Sequence, residues 1–345
     1  MGDRAAAGGD AKLVAESALA VGHTVAEVSG DTPLLTVLDR ALRQQCIAPA
    51  DRARLCARRA IATYWLSGGQ AESRRRSAEA VAVAREAGDP DALGAALVAR
   101  QFTLRGPDHL DERIQTGAAA LSLASASGDE DLRFRALQWL VPDRFQAGAM
   151  LEVAESIEEL HALAERRRDP LRRWWVLIYR GLMAAFDGRF GEAEQLAHDA
   201  FTWGRRLGQP AADAYRIGQL SRIYWSTGRL SLLGSEVTDA IGRFPGLVTL
   251  RCVRALVLAS SGRREEAVRE ARCLVGDDFA IVPRDSLFLA SLALLAETVV
   301  ACRDDDLAPP LLASIIHPQQ PGPSRLMNGA VRLGKWGCGG RPRRP

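Results

Sequence analysis

Lysine is almost missing from this chain. Lys12 and Lys335 are its only two, and every other basic residue is arginine. Spread over 345 residues, a net charge of +3 is too small to argue for nucleic acid by itself. The heavy use of arginine and alanine reads as the codon bias of a GC-rich genome, with most arginines on solvated helix faces. Cysteine is present six times but never as a CxxC pair or in a Cys/His cluster with zinc-ligand spacing. The expectation is reduced, mostly buried thiols. Runs of period two are missing and β-branched residues are sparse, which argues against strands. A membrane-spanning run is also missing. The most apolar stretch, Ser286 to Cys302, is shorter than the roughly 20 residues a span needs and contains Glu297. The first thirty residues lack the charged start and compact apolar run of a signal peptide. Together these absences predict a cytoplasmic protein with no membrane partner.

What the chain does have is a beat of forty residues. Gly148, Gly188 and Gly228 fall at that interval, and Gly68 starts the same ruler two steps earlier. Asp89, Asp129, Asp169 and Gln209 run in step with them, as in Gly88-Asp89-Pro90, Asp169-Pro170 and Gly208-Gln209-Pro210. Two phase-locked turn signals per repeat mean two elements per repeat, and a period of this length marks a solenoid.

The apolar spacing makes those elements helices. Trp174, Ile178 and Leu182 step by four, as do Trp175 and Tyr179. Helices are expected at 71–87, 91–105, 109–126, 130–147, 149–167, 171–187, 190–206, 211–227, 230–243, 247–260, 263–275 and 284–302. They are preceded by one that starts at Thr32-Pro33 and one opened by Pro49-Ala50-Asp51. Connectors this short force neighbours antiparallel. The fold class is therefore an all-α solenoid of antiparallel helical hairpins. Residues 1–32 form a loosely ordered segment, 33–304 the repeat domain, and 305–345 a short helix followed by a disordered Pro/Gly/Arg-rich tail. The shortened step from Gly228 to Gly262, 34 residues, and the loss of any beat beyond Asp304 suggest an array cut short.

The unit Gly181…Gly188-Arg189-Phe190-Gly191-Glu192-Ala193…Ala200 resembles a tetratricopeptide repeat with a period about six residues longer than the common 34. In such a unit the first glycine allows close helix packing and the second sits in the turn. The next unit departs from it, with Ser221 and Leu233 at the small positions. The order of motifs is similar to the C-terminal helical-repeat region of large bacterial ATP-binding regulators, the LuxR-family and adenylate-cyclase-linked proteins. The similar stretches are Leu55–Gly69, Ala80–Arg105, Phe186–Ala200 and Asp277–Asp285. The resemblance implies a scaffold for protein–protein interaction or signal sensing that partners an ATPase or regulator encoded nearby. It also implies either a standalone repeat fragment or a shortened gene whose last thirty residues have left the frame.

Candidate sites follow from the residues. Gly329–Trp336 fits a phosphate-binding loop except at its last position, where Trp336 replaces the magnesium-binding hydroxyl, so no cofactor is expected. Arg74-Arg75-Arg76 and Arg166-Arg167-Arg168 lack the interleaved aromatics of a single-strand binder, so nucleic acid is disfavoured. The five histidines are scattered, and neither a catalytic nor a metal-binding constellation emerges; the chain is read as non-enzymatic. In a tetratricopeptide-like coil the first helix of each pair lines an inner groove. Trp139 and Tyr179 stand nine residues before Gly148 and Gly188, with Gln219 next in that row and Arg100 and Arg180 in the row beside it. These five would hold a protein or peptide in the concave groove, unless Trp139 and Tyr179 are packing between helices. A regulator binding a small ligand or nucleic acid in the same groove is the alternative.

Overall fold

The computed structural model describes residues 12–19, 32–44, 46–66, 68–276 and 281–316. Gly329–Trp336 and the Pro/Gly/Arg-rich tail lie outside the described residues. Within them the chain is an all-α helical-repeat solenoid. A short helix at 12–19 and α1 (Thr32–Leu42) pack on the first hairpin, α2 (Pro49–Tyr64) and α3 (Gln70–Ala87). Then follow α4 (Pro90–Thr103) with α5 (Leu110–Ser127), α6 (Glu130–Ala147) with α7 (Met150–Arg167), and α8 (Pro170–Phe186) with α9 (Phe190–Arg206). Next, α10 (Ala212–Ser226) pairs with a 3-10 turn (Leu230–Leu233) that runs into α11 (Gly234–Arg243), and α12 (Val248–Ser260) with α13 (Arg264–Val275). The pair α14 (Phe288–Cys302) and α15 (Ala308–Ile316) is the last described.

The beat is a sequence of helix ends. Gly148, Gly188 and Gly228 follow the first helix of a pair with φ between 70° and 77°, a left-handed conformation that only glycine takes without strain. Asp89, Asp129 and Asp169 are the N-caps of α4, α6 and α8, each accepting from a backbone N–H of the first turn, as in Ala92 N to Asp89 Oδ1 at 2.7 Å. Left-handed Gly88 and Gly128 stand before Asp89 and Asp129, and Gly208 holds the same place before Gln209, but after α7 that place, before Asp169, is taken by Arg168, with φ 49°. The shortened step to Gly262 has a plain cause: α11 and α12 span only 10 and 13 residues. Residues 284–287, expected to begin a helix, instead form a turn, in which Asp285 Oδ1 accepts the Leu287 N–H at 2.8 Å.

Each helix packs on its partner, and first helices also pack on one another, α2 on α4, α4 on α6, α8 on α10. The second helices make no comparable contacts among themselves, so the array curves with its first helices inside. Close approach needs small residues. A Cβ on Gly181 would lie 2.8 Å from Gln219 Nε2, and one on Gly204 would lie 2.6 Å from Trp174 Nε1.

Two polar features fix this packing. Arg113 of α5 and Asp143 of α6 form an ion pair at 2.8 Å with side chains 3% and 4% exposed. Gln101 Nε2 donates to the other Asp143 oxygen, and Arg113 donates to the Gly106 carbonyl. The second feature brings distant parts together. The turn before α14 returns to the start of the array, where Ser286 N–H donates to the Tyr64 hydroxyl at 2.9 Å and Arg284 pairs with Asp108 at 2.6 Å. Tyr64 in turn donates to the Arg105 carbonyl. Gly106 leaves room for the crossing, since a Cβ there would lie 2.9 Å from the Arg284 carbonyl oxygen.

Candidate functional site in the concave cavity

Three of the first helices, α4, α6 and α8, are N-capped by aspartates, and each first helix turns one stripe inward. From α2 come Arg58 and Ile61, with Trp65 at its C-terminal end; from α4, Asp91, Ala95, Val98 and Phe102; from α6, Asp131, Phe134, Arg135, Gln138 and Trp139; from α8, Leu171, Arg172 and Trp175. They enclose about 670 Å³, with Leu19 and Leu34 at one side.

Within and behind this wall, aromatic rings run from helix to helix edge to face. Tyr64 meets Phe102 at 5.1 Å, Phe102 meets Trp139 at 5.1 Å, Trp139 meets Trp175 at 5.6 Å, and Trp175 meets Tyr215 at 5.4 Å. Each such pair adds about 0.5–1.5 kcal/mol beyond burial and holds its rings at a set angle. The Arg105 guanidinium lies 4.5 Å from the Trp139 ring centre. Burial opposes the Arg105 charge, but Tyr215, Tyr64, Tyr179 and Asp143 around it outweigh that, so it is held above its ordinary range.

The charged groups of the wall divide into satisfied and unsatisfied ones. Arg54 bridges Asp51 and Asp89, both at 3.0 Å. Arg172 pairs with Asp131 and with Asp169 and stacks on Phe134, yet its buried Nη1 meets no acceptor among the described residues. The buried Nε1–H of Trp65 likewise meets none. Arg135 forms no ion pair among the described residues; its one hydrogen bond goes to the Asp131 carbonyl at 3.4 Å. Its side chain is open to solvent but surrounded by the walls. That enclosure lowers its pKa from the usual guanidinium value against the pull of Asp129 and Asp131.

Of the five residues singled out from the sequence, Trp139 lines the cavity and the other four do not. Tyr179 is buried and donates to the Gln138 carbonyl at 2.5 Å. That carbonyl is the one Pro142, four residues on within α6, has no N–H to satisfy. Gln219 repeats the gesture one hairpin later, donating to the Ile178 carbonyl at 2.8 Å. These two bonds staple α8 to α6 and α10 to α8. Arg100 turns outward to Glu112 of α5 and the Arg74 carbonyl, and Arg180 to Glu158 of α7.

One helical turn earlier, Ala95, Arg135 and Trp175 recur at the same forty-residue interval and line the cavity, and Tyr215 continues the interval outside it. Arg135, Trp175, Trp65 and Arg172, all of which line the cavity, were not singled out from the sequence. For Arg135 and Trp175 the signal was present, because their row is as periodic as the one chosen.

The remaining sequence candidates are placed simply. Arg75 and Arg76 are bound by Glu72, and Arg166 and Arg167 by Glu130. Asp304 accepts from Leu307 N–H, and Arg272 approaches both Asp304 and Asp306. Cys56, Cys252 and Cys302 are buried, and burial pushes the Cys252 thiol up to about 12. No group of three or more His, Cys, Asp or Glu among the described residues is placed to hold a metal ion, and no helix among them is long and apolar enough to cross a membrane. Compared with known protein families and with curated proteins, the chain matches none.

Proposed function

We propose that this chain is a non-enzymatic recognition module, a helical-repeat scaffold for signal sensing or protein–protein interaction that works through its concave cavity. In this reading it acts in the cytoplasm as a stand-alone or truncated piece of an ATP-dependent transcriptional or signalling regulator, which the helix-end phrases of the sequence resemble. One observation carries the reading. Four successive first helices direct aromatic and guanidinium groups into a shared space of about 670 Å³, whereas a scaffold that served packing alone would fill it. The aromatic rings are held by one another, so binding costs little ordering.

A second reading is supported by the size of the space. Small-molecule sites enclose about 300–1,000 Å³, so the cavity suits a small ligand, or the one or two side chains of a partner, better than a long peptide. Nucleic acid is less well supported, because the two arginine clusters hold carboxylate partners.

The test is capture of partners by the full chain as bait, with Trp175→Ala and Arg135→Glu compared with Arg180→Glu, which lies outside the cavity. Loss of captured partners in the first two and retention in the third is expected. If cavity variants keep every partner and Arg180→Glu loses them, the cavity is not the working surface.

A further inference from the structure

We infer that the cavity takes an uncharged, largely apolar small molecule; this rests on the cavity being the recognition surface. Four arginines and four aspartates line the space, so the formal charge of its wall sums to zero. Those charges answer one another. Arg172 is shared between Asp131 and Asp169, and Arg54 between Asp51 and Asp89. Asp129 accepts the Asp131 and Leu132 N–H groups, and Arg135 stands in the field of Asp129 and Asp131. Asp91 is exposed in the first turn of α4, where solvent and the helix N-terminus both suit a carboxylate. The Arg172 Nη1 and Trp65 Nε1 atoms have almost no accessible surface, so neither reaches an occupant. A charged occupant would give up its hydration and have to take its counter-charge from an existing pairing.

Beyond these pairs the wall offers carbon. Of its 22 lining residues eight carry charge, Gln138 is polar, and the other 13 are apolar. Ile61, Trp65, Ala95 and Leu171, from three first helices, are half-buried and keep some surface open. Trp65 is the clearest case. Its indole is only half-buried while its Nε1 is covered, so what it presents is ring carbon. Phe102, Trp139 and Trp175 lie buried edge to face, which fixes the shape of the wall. An apolar occupant gains by leaving water and disturbs no ion pair. The space of about 670 Å³ is of small-molecule size.

The experiment is calorimetric titration of the full chain with probes of one shape: neutral 2-naphthalenemethanol, anionic 2-naphthoate and cationic 2-naphthylmethylammonium. The neutral probe is expected to bind about tenfold or more tightly than either ion, since an enclosed charge without its own partner is costly. Leu171→Asp puts one uncompensated carboxylate into the wall, in a first helical turn that tolerates an acid. It should weaken the neutral probe about tenfold and bring the cation at least level with it, and circular dichroism checks that the variant folds. Either ion binding the native chain as tightly as the neutral probe overturns the uncharged assignment and leaves the cavity as a recognition site. Neutral binding that Leu171→Asp leaves unchanged puts the probe outside the cavity and overturns the assignment as well. If no probe binds while partner capture still depends on Trp175, the ligand class is wrong and the recognition reading stands. If both fail, both are wrong.

Discussion

The Tyr179 hydroxyl donates to the Gln138 carbonyl at 2.5 Å, replacing a bond that α6 cannot make for itself. Pro142 has no N–H to return to that oxygen, and the next hairpin supplies the missing donor. Tyr179→Phe should therefore cost about 1–3 kcal/mol, the penalty of a buried acceptor left unpaired. Pro142→Ala in the same chain restores the helical donor and should recover most of the loss. Denaturant unfolding of the two single variants and the double variant measures this. Additive effects would mean that the two donors do not compete for one oxygen.

Arg168 holds a left-handed conformation at a place where Gly88, Gly128 and Gly208 hold it elsewhere in the array. A side chain there costs roughly 1–2 kcal/mol. Arg168→Gly should accordingly raise stability by about 1 kcal/mol, and Gly128→Ala should lower it by about as much. Shifted unfolding midpoints at constant slope would report both changes.

Arg113 and Asp143 face each other in a buried setting. Burial pushes the Asp143 carboxyl up and the Arg113 guanidinium down from their ordinary values, each held partly in check by the other's charge. Asp143→Leu alone leaves a buried cation and should cost about 3–5 kcal/mol. Adding Arg113→Met should return about half of that or more, because an apolar pair carries no desolvation cost. A double variant less stable than Asp143→Leu would assign the effect to the Gly106 contact of Arg113 instead.

Glu194 gives the array a defined response to acid. Hydrogen bonds from Arg229, and then from Tyr224, hold its carboxyl below the usual carboxylate range. A depressed folded value means that stability is fully present above the unfolded value, near 4.5, and is lost as pH falls through the folded one. The stability difference between the native chain and Glu194→Gln, about 1 kcal/mol at neutral pH, should stay level down to pH ~5.5 and shrink in stronger acid. A difference that grows in acid would reverse the assignment.

The sequence revealed the hairpins because caps and left-handed turns are local chemistry. A glycine at Gly188 or an aspartate at Asp129 acts on the backbone within one turn of itself. The inward face was not readable in the same way. A forty-residue period makes the Trp139 row and the Arg135 row equally regular, and only the packing of one first helix on the next decides which of them faces inward. Pairs such as Arg113 with Asp143, or Pro142 with Tyr179, join elements that no local signal links. The turn over residues 284–287 was read as helix because its contacts are with Tyr64 and Asp108, more than a hundred positions away.

That last contact bears on how the molecule folds. In an open array each unit touches only its neighbours, so growth can start anywhere and either end can fray. Here residues 222 positions apart meet at the Tyr64 hydroxyl. Forming that contact requires ordering the chain between them, an entropic demand that rises with loop length and slows the final step. Once formed, it ties the turn before α14 to α2 and to the turn after α4, contacts that no neighbouring hairpin supplies.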